Sequence, residues 1–221
     1  MSGIVGSKFN HRGSGLVGSL GTDGQHMLSS GAGKTNVFET VAEASSDFVL
    51  LDTETGTGTV SVDGHFSGTY QNYLVIGSHI SNDGSPGDEE LMMRFRQSDS
   101  DVTASSYYVA WNANYGKNDG TSARYDWAGY GRNNIIITNN WDDDITKVTQ
   151  FNMWIYNPTN SDTHKHITWH SANRSPNATE SFMNFSGAAT YYGNTTALTG
   201  YTFYGVSDDI DSLNLKLYGL K

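Results

Sequence analysis

The sequence predicts an all-β fold: an antiparallel β-sandwich of the jelly-roll kind, preceded by an extended Gly/Ser-rich N-terminal docking segment. Three observations predict it. Twenty-five glycines and thirteen tyrosines stand against three prolines in 221 residues, a composition that favours strands and turns over helices. Gly, Asn, Ser, Thr and Asp punctuate short apolar runs along most of the chain, and each of these residues has its own reason to sit in a turn. From Ser45 onward the apolar runs recur at intervals of roughly 10–15 residues, the rhythm of a sandwich or barrel.

Residues 1–44 differ from the rest. Gly or Ser occupies nearly every second or third place, and apolar residues come in ones and twos: Ile4 and Val5, Phe9, Leu16 and Val17, Leu20, Leu28. Neither a 3.6 nor a 2.0 period persists there, so the segment defines no self-sufficient element. It is expected to lie extended on another surface, with those seven apolar side chains making the contact.

The sandwich is expected over residues 45–221. Phe48 to Leu51 opens it, followed by Thr57 to Phe66 and Tyr73 to Ile76. The Asn82-Asp83-Gly84-Ser85-Pro86-Gly87 cluster is a loop signal. After it Leu91, Met93 and Phe95 share one face of a strand, with Arg94 and Arg96 on the other. Ser106 to Asn112, Ile135 to Thr138 and Val148 to Tyr156 continue the series, the last stopped by Asn157-Pro158. Lys165 to Ser171, Ser181 to Ser186 and Tyr201 to Val206 follow. At the C-terminus Leu213, Leu215 and Leu217 alternate with Asn214, Lys216 and Tyr218, the pattern of a strand central to a sheet with one wet face.

Charge narrows the partners. The net charge is −10 and the pI about 4.9. Phosphate backbones are bound by clustered Lys and Arg, and no such stripe is present, so neither nucleic acid nor anionic membrane is expected as a partner. The chain has no cysteine, which excludes disulfides, thiolate metal sites and a cysteine nucleophile. No apolar stretch reaches the roughly 20 residues of a membrane-spanning helix. The opening Met1-Ser2-Gly3-Ile4-Val5-Gly6-Ser7-Lys8 lacks the apolar core of a secretory signal.

A family resemblance enters at Leu20-Gly21-Thr22-Asp23-Gly24-Gln25-His26-Met27-Leu28-Ser29-Ser30-Gly31-Ala32-Gly33. This resembles a segment of phage tail fibres and other virion appendages, close to GT-x-GQ-V-L-T-S-x-GAG followed by an aromatic residue. Here His26-Met27 stands for Val, Ser29 for Thr, and Phe38 arrives late. The opening residues resemble the start of short structural proteins of marine phages. Tyr70 to Ile76, Met93 to Arg96 and the ending Leu215-Lys216-Leu217-Tyr218-Gly219-Leu220 are similar to the jelly-roll modules of those fibres. The resemblance implies a non-enzymatic homotrimer assembled in the bacterial cytoplasm, docked by its N-terminus to other virion proteins of capsid or tail, and displayed on the virion surface. As a short fibre or decoration subunit it has two rivals. One is a tail-tip component recognising host glycans; the other is a free carbohydrate-binding module.

Several motifs are weighed against plainer alternatives. Gly13-Ser14-Gly15-Leu16-Val17-Gly18 matches G-x-G-x-x-G but lacks the strand and helix that a dinucleotide fingerprint requires. Gly31-Ala32-Gly33-Lys34-Thr35 mimics the end of a P-loop, but Leu28 stands where its first Gly belongs. His164 and His166, with His170, would share a strand face and could ligate Zn, Ni or Fe; a solvent-facing histidine row on an edge strand is the plainer reading. Asp142-Asp143-Asp144 and Asp208-Asp209-Asp211 could hold Ca²⁺ or simply be solvated loops. Trp111, Tyr115, Trp127 and Tyr130, with Trp141, read as exposed aromatics that could stack on a sugar, or as core filling. Neither a G-x-S-x-G elbow nor an H-E-x-x-H pair occurs. No catalytic residue and no cofactor is expected.

Overall fold

A computed structural model describes residues 25–28, 37–40, 47–82, 90–117, 119–139, 149–174, 180–206 and 210–221. The chain divides into two units, Met1–Ser46 and Asp47–Lys221. In the first unit β1 (Gln25–Leu28) pairs antiparallel with β2 (Val37–Thr40), Leu28 opposite Val37. Short as they are, two paired strands satisfy each other's backbone groups, which a single extended segment must do on a foreign surface. Of the expected docking residues, Leu28 ends β1; Ile4, Val5, Phe9, Leu16, Val17 and Leu20 lie outside the described residues. So do Trp141 and the Asp142–Asp144 cluster.

The second unit is all-β, with no helix among the described residues. Its strands in chain order are β3 (Phe48–Gly56), β4 (Val60–Asp63), β5 (Asn72–Asn82), β6 (Glu90–Gln97), β7 (Ser100–Asp101), β8 (Tyr107–Lys117) and β9 (Ser122–Arg132). Then come β10 (Ile135–Asn139), β11 (Thr149–Tyr156), β12 (Lys165–Asn173), β13 (Glu180–Tyr191), β14 (Gly200–Gly205) and β15 (Ile210–Leu220). They form two antiparallel sheets. The larger runs β3-β15-β5-β11-β12-β13-β8-β9 and the smaller β10-β6-β14-β4, with β7 pairing off β6.

Within this order lies a jelly roll. Setting aside β7–β9 and β12–β13, eight strands remain. The first, last, third and sixth (β3-β15-β5-β11) make one sheet, and the second, seventh, fourth and fifth (β4-β14-β6-β10) make the other. This is the double Greek-key order of that fold. The strands β12 and β13, inserted after β11, and β8 and β9, inserted after β6 and β7, extend the first sheet on one side.

The core sits between the sheets and follows the period-two alternation. Leu91, Met93 and Phe95 are fully buried, with Arg94 and Arg96 only partly buried on the opposite face. Leu213, Leu215 and Leu217 are buried from β15, which runs between β3 and β5 as the terminal pattern predicts. Ring contacts join the layers: Phe151 to Phe203 at 5.2 Å, and Phe95 to Tyr107 and Tyr191 at 6.2 and 6.3 Å. Tyr107 is buried without losing its hydrogen bonds. Its hydroxyl accepts from Phe95 N at 3.0 Å and donates to Val102 O, and burial holds the phenol far above its usual pKa. Two glycines are fixed by aromatic neighbours. A β-carbon on Gly77 would strike the Phe151 ring, and one on Gly187 the Trp169 indole at 2.3 Å. In both pairs the two residues face each other across adjacent strands, so the ring covers the bare backbone.

Lys165 opens β12, the first inserted strand after β11. It is fully buried, and its Nζ donates to the carbonyls of Thr163 at 2.7 Å and Thr195 at 3.0 Å, and to that of Asn160. Burial holds its pKa below the usual lysine range, opposed by nearby Asp162. An ammonium satisfied this way ties the 157–164 turn to the chain before β14.

Candidate functional site

The outward face of the larger sheet can be read across the strands from their register. On the inserted strands one row is Ala128–Ala110–Ala188–Thr168, and the next is Asp126–Asn112–Ser186–His170. On the jelly-roll strands the same two rows continue as Trp154–Leu74–Tyr218–Leu50 and Asn152–Ile76–Lys216–Thr53. A third row runs from Tyr108 through Thr190, His166 and Tyr156 to Leu220 and Phe48. The large apolar side chains of the face thus gather on the jelly-roll strands, in the rows of Trp154, Leu74, Leu50 and Phe48, while the inserted strands carry alanines, hydroxyls, amides and imidazoles.

The three alanines lie abreast on β9, β8 and β13, and without bulky side chains the sheet is dished there. An open depression of about 630 Å³ reaches from them toward Asn112, Asp126 and Ser186. A second, of about 450 Å³, shares the same alanines and is walled by Tyr108, Tyr130 and Thr190. At this end three tyrosines cluster. Tyr108 lies 4.8 Å from Tyr130 and 4.4 Å from Tyr192, and Tyr130 stacks on Tyr192 at 5.6 Å with rings 13° from parallel. The Tyr192 hydroxyl donates to Ser105 O at 3.1 Å. Its pKa is raised, by desolvation and then by Tyr130 and Tyr108. The rings remain accessible, Tyr130 being 70% and Tyr108 47% exposed.

Polar groups line the opposite end. Ser186 Oγ donates to Asn112 Oδ1 at 3.3 Å, and Arg124 and Asp126 pair at 2.9 Å. That pair is exposed on the β9 edge and neutralises itself. Charges on an edge strand also discourage strand-to-strand association.

The expected sugar-stacking residues divide here. Trp111 and Trp127 stand opposite each other on β8 and β9 and stack at 5.9 Å on the inward face, where Trp111 also meets Phe185 at 4.7 Å. Tyr115 is inward and only 6% exposed. Tyr130 alone of the four joins the outward cluster. Its two partners were legible in principle: Tyr107-Tyr108 on β8 and Tyr191-Tyr192 at the end of β13 are adjacent pairs, so one ring of each goes to the core and the other to the surface.

His166 and His170 are exposed on β12, and exposed His164 precedes it. The strand is interior, flanked by β11 and β13, so the row is not on an edge. His166 Nδ1 is 2.9 Å from Thr190 Oγ1 and in hydrogen-bond contact with it. Among the described residues no three His, Asp or Glu side chains are grouped to hold a metal ion. Asp211 is exposed on β15, and its expected companions Asp208 and Asp209 lie outside the described residues.

No protein-family model matches the chain, and no curated protein does. Among solved structures it is similar to a chain of "Structure of infectious bursal disease virus Gx strain" at 14% identity and a TM-score of 0.13. The match covers 87% of this chain and 44% of that one. A likeness of that size carries no argument, and function has to be read from the molecule itself.

Proposed function

We propose that the chain is a non-enzymatic structural subunit of a bacteriophage virion, a short fibre or decoration protein docked through residues 1–44 and displaying the sandwich outward. The observation that carries this reading is the apolar half of the large sheet's outer face. Phe48 and Leu50 are 42% and 52% exposed, Phe48 lies 6.0 Å from Trp154, and Ile76, 38% exposed, lies on the same face in the row of Asn152 and Lys216. Large apolar side chains exposed together on one sheet face support reading that face as an interface. Its occupant in this reading is a second copy of the chain, packed about a three-fold axis. Double-sheet jelly rolls are a recurrent design for capsid and lectin domains, which agrees with an assembly module. The resemblance of residues 20–33 to virion appendages supplies the particle.

Purified phage particles containing the chain provide the test. Peptide mass spectrometry should find it in stoichiometric amount, and deletion of residues 2–44 should remove it from particles while the sandwich still folds. Particles lacking the full chain would refute the reading. A second reading, recognition of a host glycan from the tail tip or fibre end, is favoured by the outward tyrosine cluster and its neighbouring amide and hydroxyl groups.

A further inference from the structure

The geometry points to a binding site for a neutral oligosaccharide in the outward depression of β13, β8 and β9, with Tyr108 and Tyr130 as its stacking wall and Asn112, Ser186 and Asp126 as its hydrogen-bonding end. This inference rests on the recognition reading for its biological use, but not on where the chain sits in a particle.

Four observations converge on it. The first is shape: Ala128, Ala110 and Ala188 abreast give an apolar floor two strand spacings across, roughly 10 Å, with a tyrosine wall at one end. The second is the wall. The rings of Tyr108 and Tyr130 are held by Tyr192, which is itself tied to Ser105 O at 3.1 Å. Ordered aromatic rings present a flat apolar surface at little further entropic cost on binding. A sugar ring is apolar across its C–H face and polar around its rim, so it suits an aromatic wall joined to amide and hydroxyl groups. The third is the polar end. Asn112, Ser186 and Asp126 form one row directly beside the alanines, and amide, hydroxyl and carboxylate together offer both donors and acceptors.

The fourth observation is charge, which selects among sugars. Arg124 neutralises Asp126 at 2.9 Å, and among the described residues neither depression is lined by a Lys or an Arg. The whole chain carries −10, which repels acidic sugars at long range. A neutral glycan is therefore the fitting class, and a sialylated or phosphorylated one is not. The indoles of Trp111 and Trp127, on the other side of the same strands, play no part.

The test is isothermal titration calorimetry of the full chain against a panel of neutral hexaoses built from glucose, galactose, mannose or N-acetylglucosamine, with oligogalacturonate as the acidic control. At least one neutral hexaose should bind and the acidic one should not. Tyr130→Ala and Asn112→Ala should each weaken binding about tenfold without moving the thermal unfolding midpoint. Ala128→Arg, which fills the floor, should abolish it, and Trp127→Phe should leave it unchanged. Silence across the panel, or binding indifferent to Tyr130→Ala and Ala128→Arg, would overturn the site. Adsorption of particles bearing Tyr130→Ala reports separately on the receptor role: hexaose binding lost with adsorption intact still supports the groove while removing that role.

Discussion

Two halves of one sheet face behave as different surfaces. Over β3, β15, β5 and β11 the outward residues include the large apolar Phe48, Leu50, Leu74, Trp154 and Ile76 among Asn152, Lys216 and Thr53. Over β12, β13, β8 and β9 they include Thr168, Ala188, Ala110, Ala128, Asn112, Asp126, His166 and His170. On the strands between the two edges, β15 to β8, the inward side of both halves is built from buried apolar residues, so the contrast is no demand of the core. It follows the architecture instead. The apolar half lies on the jelly-roll strands, and the polar half lies on the two inserted hairpins. The insertion thus adds a second, smaller-residue surface to a sheet whose first carries the large exposed apolar side chains that the proposed assembly would pack against another copy.

The largest effect should come from breaking the seam between the halves. Lys165→Met keeps the bulk but leaves the carbonyls of Asn160, Thr163 and Thr195 without their donor. Burying unsatisfied acceptors should cost about 3 kcal/mol, read as a lower urea midpoint with unchanged slope. Next is Gly187→Val, whose β-carbon would meet the Trp169 ring and the Ala110 carbonyl oxygen at 2.7 Å. Backbone cannot yield as a flexible side chain would, so a loss of about 2 kcal/mol is expected by thermal unfolding.

Surface changes sharpen the contrast with little cost in stability. Leu50→Ser combined with Phe48→Ser should shift stability by under about 0.5 kcal/mol yet reduce the assembled fraction in sedimentation velocity. Tyr130→Ala should leave sedimentation alone. The same mutants exchanging these phenotypes would dissolve the distinction between the halves.

The smallest effect is a pH dependence. The pKa of Lys165 is lower in the folded chain than its ordinary value of 10.5, so just below that value the unfolded state binds more protons. Stability contributed by this residue therefore rises as pH climbs through the folded pKa toward the ordinary one. The cost of burying the ammonium is fully present below that window. Urea unfolding between neutral and alkaline pH should show this rise in the wild-type chain relative to Lys165→Met, where the group is gone.

Much of the fold was legible where one face was strongly apolar. The alternations at Leu91–Phe95 and Leu213–Leu217 identify strands because water on one side and core on the other impose period two. The strand β9 escaped the same reading. Its Ala123, Tyr125 and Trp127 alternate with Ser122, Arg124 and Asp126, but Ala128, Gly129 and Gly131 end the alternation after six residues, so the run carries a short and glycine-flanked signal on this edge strand. Without β9 the facing of Trp111 and Trp127 could not be assigned, and aromatics of both faces were grouped together. The site was harder still, because Ala110, Ala128 and Ala188 carry no chemical signal until the register brings three strands side by side.

The central claim, that the apolar half meets neighbouring copies while the inserted half faces outward, is tested most directly by cryo-electron microscopy of phage particles containing the chain. Density is expected in which Phe48, Leu50 and Trp154 lie against another subunit and the β8–β9 hairpin is in solvent. Density with β8–β9 buried between subunits and Phe48 in solvent, or particles with no density for this jelly roll, would contradict it.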